Sequence, residues 1–315
     1  MNGPAGPAPS VPSVPSAPPA STVAVAPAAR ERRHTLLFLN EIRACSPVYL
    51  DTEIDMSAVT AHRAAARSAG AGYSVVSYVL VGAAGVLARH TAANAAIRGR
   101  TRPRIARYRS VNGKLTLDRT LNGQRVVLAA VLPDLERASL DDVQRMVDHY
   151  RAGEPDSMPE FDRVRALQRL PWPARPLAYR AAVRPLGRRA ATMGTFAVTS
   201  LGHRPVDGFH SVGGTTITLG VGRVLDRPVA RDGQLAIAPT MRLSLAFDHR
   251  VIDGAQAADI LGEIKTALEE PVEARRAGPD AAQVAQAGQA GDEPADRAGL
   301  AGRADNGRRP TEVTR

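Results

Sequence analysis

The chain has one cysteine, Cys45, in 315 residues, so no disulfide can close within it and a reducing compartment is its natural setting. We read Cys45 as a small packed residue rather than a nucleophile. Aromatic residues make up only 4% of the sequence, which leaves any core to Val, Leu, Ile and Ala. Lysine is scarce as well, at Lys114 and Lys265 only, so the net charge of +10 is carried by arginine. Such a charge admits an anionic ligand, a nucleic acid or a membrane surface, yet no nucleic-acid-binding motif accompanies it. No run approaches the roughly 20 apolar residues that span a bilayer. Nor does the start join a basic stretch to an apolar one, as a secretory signal would. A cytoplasmic protein is expected, with no transmembrane segment, no nucleic-acid partner and no metal.

A hydrophobic fraction of 44% excludes wholesale disorder. Residues 1–30 are Pro, Ala, Ser and Val without periodicity, and Pro4, Pro7, Pro9, Pro12, Pro15, Pro18 and Pro19 forbid a regular helix. Residues 274–315 hold too few large apolar residues to build a core. Two disordered tails around one folded domain, 31–273, are expected.

Within that domain Val48 to Asp55 alternates apolar and polar residues, which predicts a half-buried strand. Helices are predicted over 57–68 and 74–90. The dipeptide Asn112-Gly113 predicts a hairpin within 104–117. The apolar run 126–131 suits a strand covered on both faces. Ser139, followed by Asp141 and Asp142, reads as the N-cap of a helix reaching about Arg151. Strands are predicted at 195–200, 215–221 and 241–247, and a final helix at 255–268 with Ala258, Leu261, Ile264 and Leu268 on one face. Strands interspersed with long helices give a layered α/β fold.

One segment carries chemistry. Ser244-Leu-Ala-Phe-Asp-His-Arg-Val-Ile-Asp-Gly254 runs as a strand and then turns, leaving His249 at the strand's mouth. A neutral imidazole there can take a proton from a thiol or hydroxyl near neutral pH. Asp253 can fix the turn or the ring, and Gly254 relieves the backbone as the helix begins. By itself the pattern also suits a loop histidine with a structural aspartate.

The wider segment closely resembles the active-site signature of dihydrolipoyl acyltransferases, the catalytic cores of 2-oxo acid dehydrogenase complexes. Gly194-Thr-Phe-Ala-Val-Thr-Ser-Leu-Gly202 resembles that family's second signature, and Leu219-Gly-Val-Gly-Arg223 falls where it has a similar run. The likeness covers roughly residues 46–271. It implies a chloramphenicol-acetyltransferase-like two-layer sandwich, a mixed sheet flanked by helices, assembled as a homotrimer with the active site between subunits. It implies His249 as general base, Thr199 as donor to a tetrahedral oxyanion, and Asp253 in an orienting or structural role. Ser200, Gly202, His203 and His210 are expected to lie at the substrate cleft. Coenzyme A is implied as (co)substrate. Aspartate at 248 departs from the condensation domains of nonribosomal peptide synthesis, which carry a second histidine there.

Two segments depart from the family pattern. No lipoyl-domain sequence precedes the core here, so the acyl group is expected from CoA, from an acyl-carrier protein, or from a lipoyl domain on another chain. His210-Ser-Val-Gly-Gly-Thr-Thr216 replaces the family's Pro-containing loop and is about two residues shorter. Arg163 to Arg189 carries eight arginines and no acid, which reads first as a solvated basic face. A dock for CoA phosphates or an acidic carrier, and a basic amphipathic patch that rests on a membrane, are the sharper alternatives. For the whole protein the competing reading is a catalytically silent trimeric scaffold.

Overall fold

The computed structural model describes residues 26–99, 101–231 and 233–271. Of the two expected tails, residues 1–25 and 274–315 lie outside the described residues. The strands are β1 (Pro47–Asp55), β2 (Ala95–Arg98), β3 (Arg104–Arg107), β4 (Gly113–Leu121), β5 (Gln124–Leu132), β6 (Phe196–Ser200), β7 (Ile217–Arg231) and β8 (Gln234–Asp248). The helices are α1 (Arg33–Glu41), α2 (Ser57–Ser68), α3 (Val75–Arg89), α4 (Leu140–Ala152), α5 (Asp162–Arg169), α6 (Ala174–Val183), α7 (Leu186–Met193) and α8 (Gly254–Glu269).

Six strands form one sheet in the order β1-β8-β7-β6-β4-β5, and β2 with β3 forms a separate ribbon. Parallel pairing of β6 with both β4 and β7, among otherwise antiparallel neighbours, makes the sheet mixed. Alternation places Leu115, Phe196, Val198, Ile217, Leu219, Leu243, Leu245 and Phe247 on one face, all within the buried core. Val59 of α2, Tyr78, Val79 and Leu87 of α3, Val143 and Val147 of α4, and Ile260, Ile264 and Leu268 of α8 complete that core. Each such side chain contributes on the order of 1.5–3 kcal/mol when removed from water. This is the mixed sheet flanked by helices that the sequence implied.

The sheet's other face carries Lys114, Thr116, Ala197, Thr199, Thr218, Gly220 and Ser244. The chain from Leu201 to Thr216 crosses it. Ser244 Oγ donates to the Phe209 carbonyl there. A Cβ on Gly220 would collide with that same carbonyl, and one on Gly222 would collide with the Asp207 carbonyl. Glycine at both positions therefore lets the crossing chain rest directly on β7.

Helix α4 begins with the expected cap: Ser139 Oγ accepts from Asp142 N at 3.1 Å, and the Asp142 carboxylate accepts from Ser139 N at 3.0 Å. Other expectations need correction. The hairpin is not at Asn112-Gly113 but joins β4 to β5 at Asn122-Gly123, both with positive φ, 47° and 75°. That pair of signs fits the two-residue turn whose twist matches a hairpin. Asn112 is instead a buried connector, donating from Nδ2 to Ala190 O at 3.1 Å and accepting at Oδ1 from Asp134 N, also 3.1 Å. Strand β5 is not covered on both faces; it is a sheet edge with alternating burial, and Val127 is 50% exposed. On α8 the buried face runs through Ala257, Ile260 and Leu261, leaving Ala258 exposed. Strands β7 and β8 are longer than expected, 15 residues each. Beyond their pairings with β1 and β6 they continue as a two-stranded arm on which Leu235 and Ile237 are 80% and 69% exposed.

Candidate active site

At the end of β8 the chain reverses through Asp248 to Asp253 before α8. Asp248 N donates to Thr216 O at 3.0 Å and His249 N donates to Ser46 O at 2.9 Å, which pins the turn to β7 and to the start of β1. The Asp248 carboxylate is nearly buried; it accepts from Arg250 Nε at 2.8 Å, from Arg250 Nη2, from Arg250 N at 3.2 Å and from Ser46 N at 3.3 Å. Burial pulls this carboxyl's pKa upward, but the Arg250 hydrogen bonds and charge outweigh it and hold the group below the usual carboxylate range. Cys45 touches the same carboxylate. Burial first, and Asp248 second, push its thiol up to about 12, so at neutral pH it stays protonated and is no nucleophile.

Between these two ions the His249 ring stands half exposed against Phe247, with centroids 5.4 Å apart. Its Nδ1 lies 3.6 Å from Asp253 Oδ1, and the Asp253 side chain is 91% exposed. That distance exceeds a hydrogen bond, and a pair so open to water is weak. The backbone bond to Ser46 and the Asp248–Arg250 pair therefore fix the position of His249 more firmly than Asp253 does.

Thr199 is elsewhere. On β6 its hydroxyl donates to Thr116 Oγ1 of β4 at 3.1 Å. Ser200 Oγ accepts from Gly202 N at 3.4 Å, and a Cβ on Gly202 would lie 2.8 Å from Gly222 O. His203 is exposed just beyond that turn, close enough for its charge to act on Asp118 of β4. His210 is exposed further along the crossing chain and meets the Tyr49 ring edge-on at 5.3 Å. Register measures the gap between the two main candidates. Thr199 pairs with Gly220, which pairs with Ser244, and His249 is five residues past Ser244. At about 3.3 Å per residue and 4.8 Å per strand, they stand on the order of 15–20 Å apart. One copy of the chain brings His249 to Asp253, and Thr199 to Ser200 and Gly202, but not one group to the other.

Sequence reasoning missed the charged residues around these groups. Asp248 and Arg250 flank His249 directly, and two opposite charges around a histidine at a strand end were the available signal. Lys114 gave none. It is buried beside Thr116, donates to Gly213 O and lies over the Phe38 ring, 4.6 Å from its centroid. Burial, with Arg189 adding repulsion, lowers its ammonium to about 7. Arg189 donates to Val183 O at 3.0 Å and to Gly214 O at 2.7 Å, so two cations hold the end of the crossing chain at Gly213-Gly214. The basic segment is thus not simply a solvated face. Arg184 pairs with Glu41 at 2.7 Å and Arg180 lies 3.8 Å from it, while Arg165 is tied to Asp162 and to the Met158 carbonyl at 2.8 Å. Among the described residues no group of three or more His, Cys, Asp or Glu could hold a metal ion, and no helix is long and apolar enough to cross a membrane.

Comparison with known proteins follows this geometry. Residues 173–275 match the family model of the 2-oxoacid dehydrogenases acyltransferase (catalytic domain). A stretch of 53 residues is 49% identical to the dihydrolipoyllysine-residue acetyltransferase component of the pyruvate dehydrogenase complex of Bacillus subtilis, covering 17% of this chain and 12% of that one. The chain thus aligns with only about an eighth of the length of the curated relatives it matches. Among solved structures, the cubic core of the pyruvate dehydrogenase multienzyme complex superposes with a TM-score of 0.60 at 21% identity, over 82% of this chain and 98% of that chain. A probable dihydrolipoamide acetyltransferase of Listeria monocytogenes gives 0.59 at 18% identity, over 80% and 97%. Dihydrolipoamide acetyltransferase of Azotobacter vinelandii, solved to investigate a serine, a histidine and an asparagine in its catalytic mechanism, gives 0.59 at 21% identity, over 82% and 98%. Residues 173–275 are thus similar to the catalytic domain of the 2-oxoacid dehydrogenases acyltransferases, and over four-fifths of its length the chain shares the fold of these solved structures.

Proposed function

We propose that the chain transfers an acyl group between a thioester and a thiol acceptor, with His249 as general base and Thr199 as oxyanion donor. His249 carries the reading: it is a half-exposed imidazole whose backbone is pinned on both sides and whose Nδ1 faces Asp253, leaving Nε2 to meet an acceptor. Nε2 takes the thiol proton, and the thiolate sulfur attacks the acyl carbon. The carbonyl oxygen becomes an oxyanion that accepts the Thr199 hydroxyl. Collapse breaks the original carbon–sulfur bond, and the departing thiolate recovers the proton from His249. In the Azotobacter relative the corresponding study concerns a serine, a histidine and an asparagine four positions after it. Here the matching roles fall to Thr199, His249 and Asp253.

The distance between Thr199 and His249 within one chain supports a site formed between two copies, His249 from one and Thr199 from the next. A closed homotrimer supplies three such sites by symmetry. The projecting arm with exposed Leu235 and Ile237 is an apolar surface suited to such a contact. Coenzyme A is the proposed thioester partner, and a lipoyl group on another chain or an acyl-carrier protein is the proposed second one. The residues proposed to line the cleft are Ser200, Gly202, His203 and His210, the last two on the crossing chain. The domain is proposed to span 31–273 and to work in the cytoplasm. Acyl transfer from acetyl-CoA to free dihydrolipoamide, measured for wild type and His249→Ala, tests the reading. Loss of transfer in a folded variant supports it, whereas equal turnover by both proteins would favour the silent scaffold.

A further inference from the structure

Three arginines converge at the junction of the N-terminal helix and the basic segment. Arg30 donates to the Gln168 carbonyl from Nε at 3.3 Å and from Nη2 at 3.1 Å, and Arg175 Nη2 donates to the same oxygen at 3.3 Å. Two guanidinium groups therefore share one neutral acceptor. Arg33 is close enough to act on Arg175 by its charge, as Arg30 is. Arg175 Nε is enclosed and has no hydrogen-bond partner among the described residues. Glu41 of α1 is engaged by Arg184 and Arg180, and none of the ion pairs among the described residues involves Arg30, Arg33 or Arg175.

These guanidinium groups are partly open to water and repel one another, so an anion among them would be held by several charges at once. Arginine forks bind oxygen anions with paired N–H groups, and three of them suit a dianion with several acceptor oxygens better than a single carboxylate. Arg175 also lies in the first turn of α6, a ten-residue helix whose N-cap, Pro173, offers no capping side chain, so the helix dipole adds to the same preference. Trp172, three residues before Arg175 and 80% exposed, is the apolar side chain available at the start of the same helix for the organic part of a ligand.

We propose that Arg30, Arg33 and Arg175 form a binding site for the phosphate group of a soluble phosphate monoester. Within one chain the site lies away from His249. His34, next to Arg33, bonds through Nε2 to Val127 O of β5 at 2.9 Å, whereas His249 adjoins β1, at the opposite edge of the same sheet. It does not rest on the acyl-transfer reading.

The test is calorimetric titration of the full chain with inorganic phosphate and with phenyl phosphate, at ionic strength held constant with sodium chloride. Wild type should bind both, phenyl phosphate more tightly. Arg30→Gln and Arg175→Gln should each weaken binding at least about tenfold. Arg163→Gln, an exposed arginine outside the cluster, should change nothing. If Arg175→Gln fails to fold, Arg30→Gln and Arg33→Gln decide, because their backbones lie at the surface end of the junction. Undiminished affinity in those variants would overturn the proposal. So would heats that chloride of equal ionic strength reproduces, or retention on phosphatidate vesicles with no response to either soluble phosphate.

Discussion

Asp248 grips the guanidinium of Arg250, two residues along, with both carboxylate oxygens, and His249 lies between them. The pair is nearly buried on the aspartate side and about a third exposed on the arginine side. Removing one partner of a buried pair costs about 3–5 kcal/mol, and the exposure of Arg250 lowers the expectation for Asp248→Asn to about 2 kcal/mol. The aspartate's pKa is depressed by folding, so its contribution is present above the unfolded value near 3.8 and is lost as pH falls further, through the folded value. Urea midpoints at pH 7 and at pH 3 should therefore differ less in the variant than in wild type. Equal pH sensitivity in both would remove the pair from the account.

His249→Ala should lower acyl transfer by about 10²–10⁴, and Thr199→Ala by about 10²–10³, with the fold intact in each. Mixed, unfolded and refolded together in equal amounts, the two inactive variants should recover about a quarter of wild-type activity. That is the share of interfaces at which an intact His249 meets an intact Thr199 if each site joins two copies. No recovery by correctly assembled mixtures would mean that both residues must come from one chain.

Lys114 gives a pH dependence of the same sign in a higher window. Its folded pKa, lowered to about 7 mainly by burial, lies below the unfolded value near 10.5. Between those limits the unfolded chain binds the extra proton, so stability should rise with pH by at most about 1.4 kcal/mol per unit. Lys114→Met keeps the apolar contact with Phe38 and removes the ionisation. Denaturant midpoints at pH 7 and pH 9.5 should then converge, and the variant should be the more stable of the two proteins at pH 7.

Gly222→Ala should lift the crossing chain off the sheet, because its Cβ would meet the Asp207 carbonyl and the backbone there cannot retreat cheaply. A loss of about 1–3 kcal/mol is expected in thermal or urea unfolding. Amide exchange at Arg223 N, which donates to Val206 O at 3.1 Å, should speed up with it. Gly123→Ala is the control for backbone strain alone, since nothing crowds its Cβ although its φ is 75°.

Much of the fold was legible because its elements follow simple periods. The helix over 57–68 and the alternating strand from Val48 needed only the pattern of apolar residues, and both stand where that pattern puts them. The hairpin was misplaced because the chain contains two Asn-Gly pairs. The first is buried as a side-chain connector, and nothing local distinguishes it from the true turn ten residues later. Likewise β5 is apolar enough to be central, yet it is an edge strand; which strand ends a sheet depends on long-range pairing. The place of His249 at the mouth of a strand was legible from its own motif. The links from Asp248 to Ser46 and from Lys114 to Gly213 were not, because they join residues 202 and 99 positions apart in the chain.

The crossing chain from Leu201 to Thr216 meets β7 through the carbonyls of Asp207 and Phe209 at two glycines, and the Asp207 carboxylate ties it to Arg223 and Arg227 of the same strand at 2.6 and 2.9 Å. His203, Arg204 and Pro205 stay exposed above the sheet, in reach of it only by the charges that act on Asp118. Over evolutionary time this segment can exchange residues at its outer edge like a replaceable visor, while the glycines and the strands beneath stay as they are.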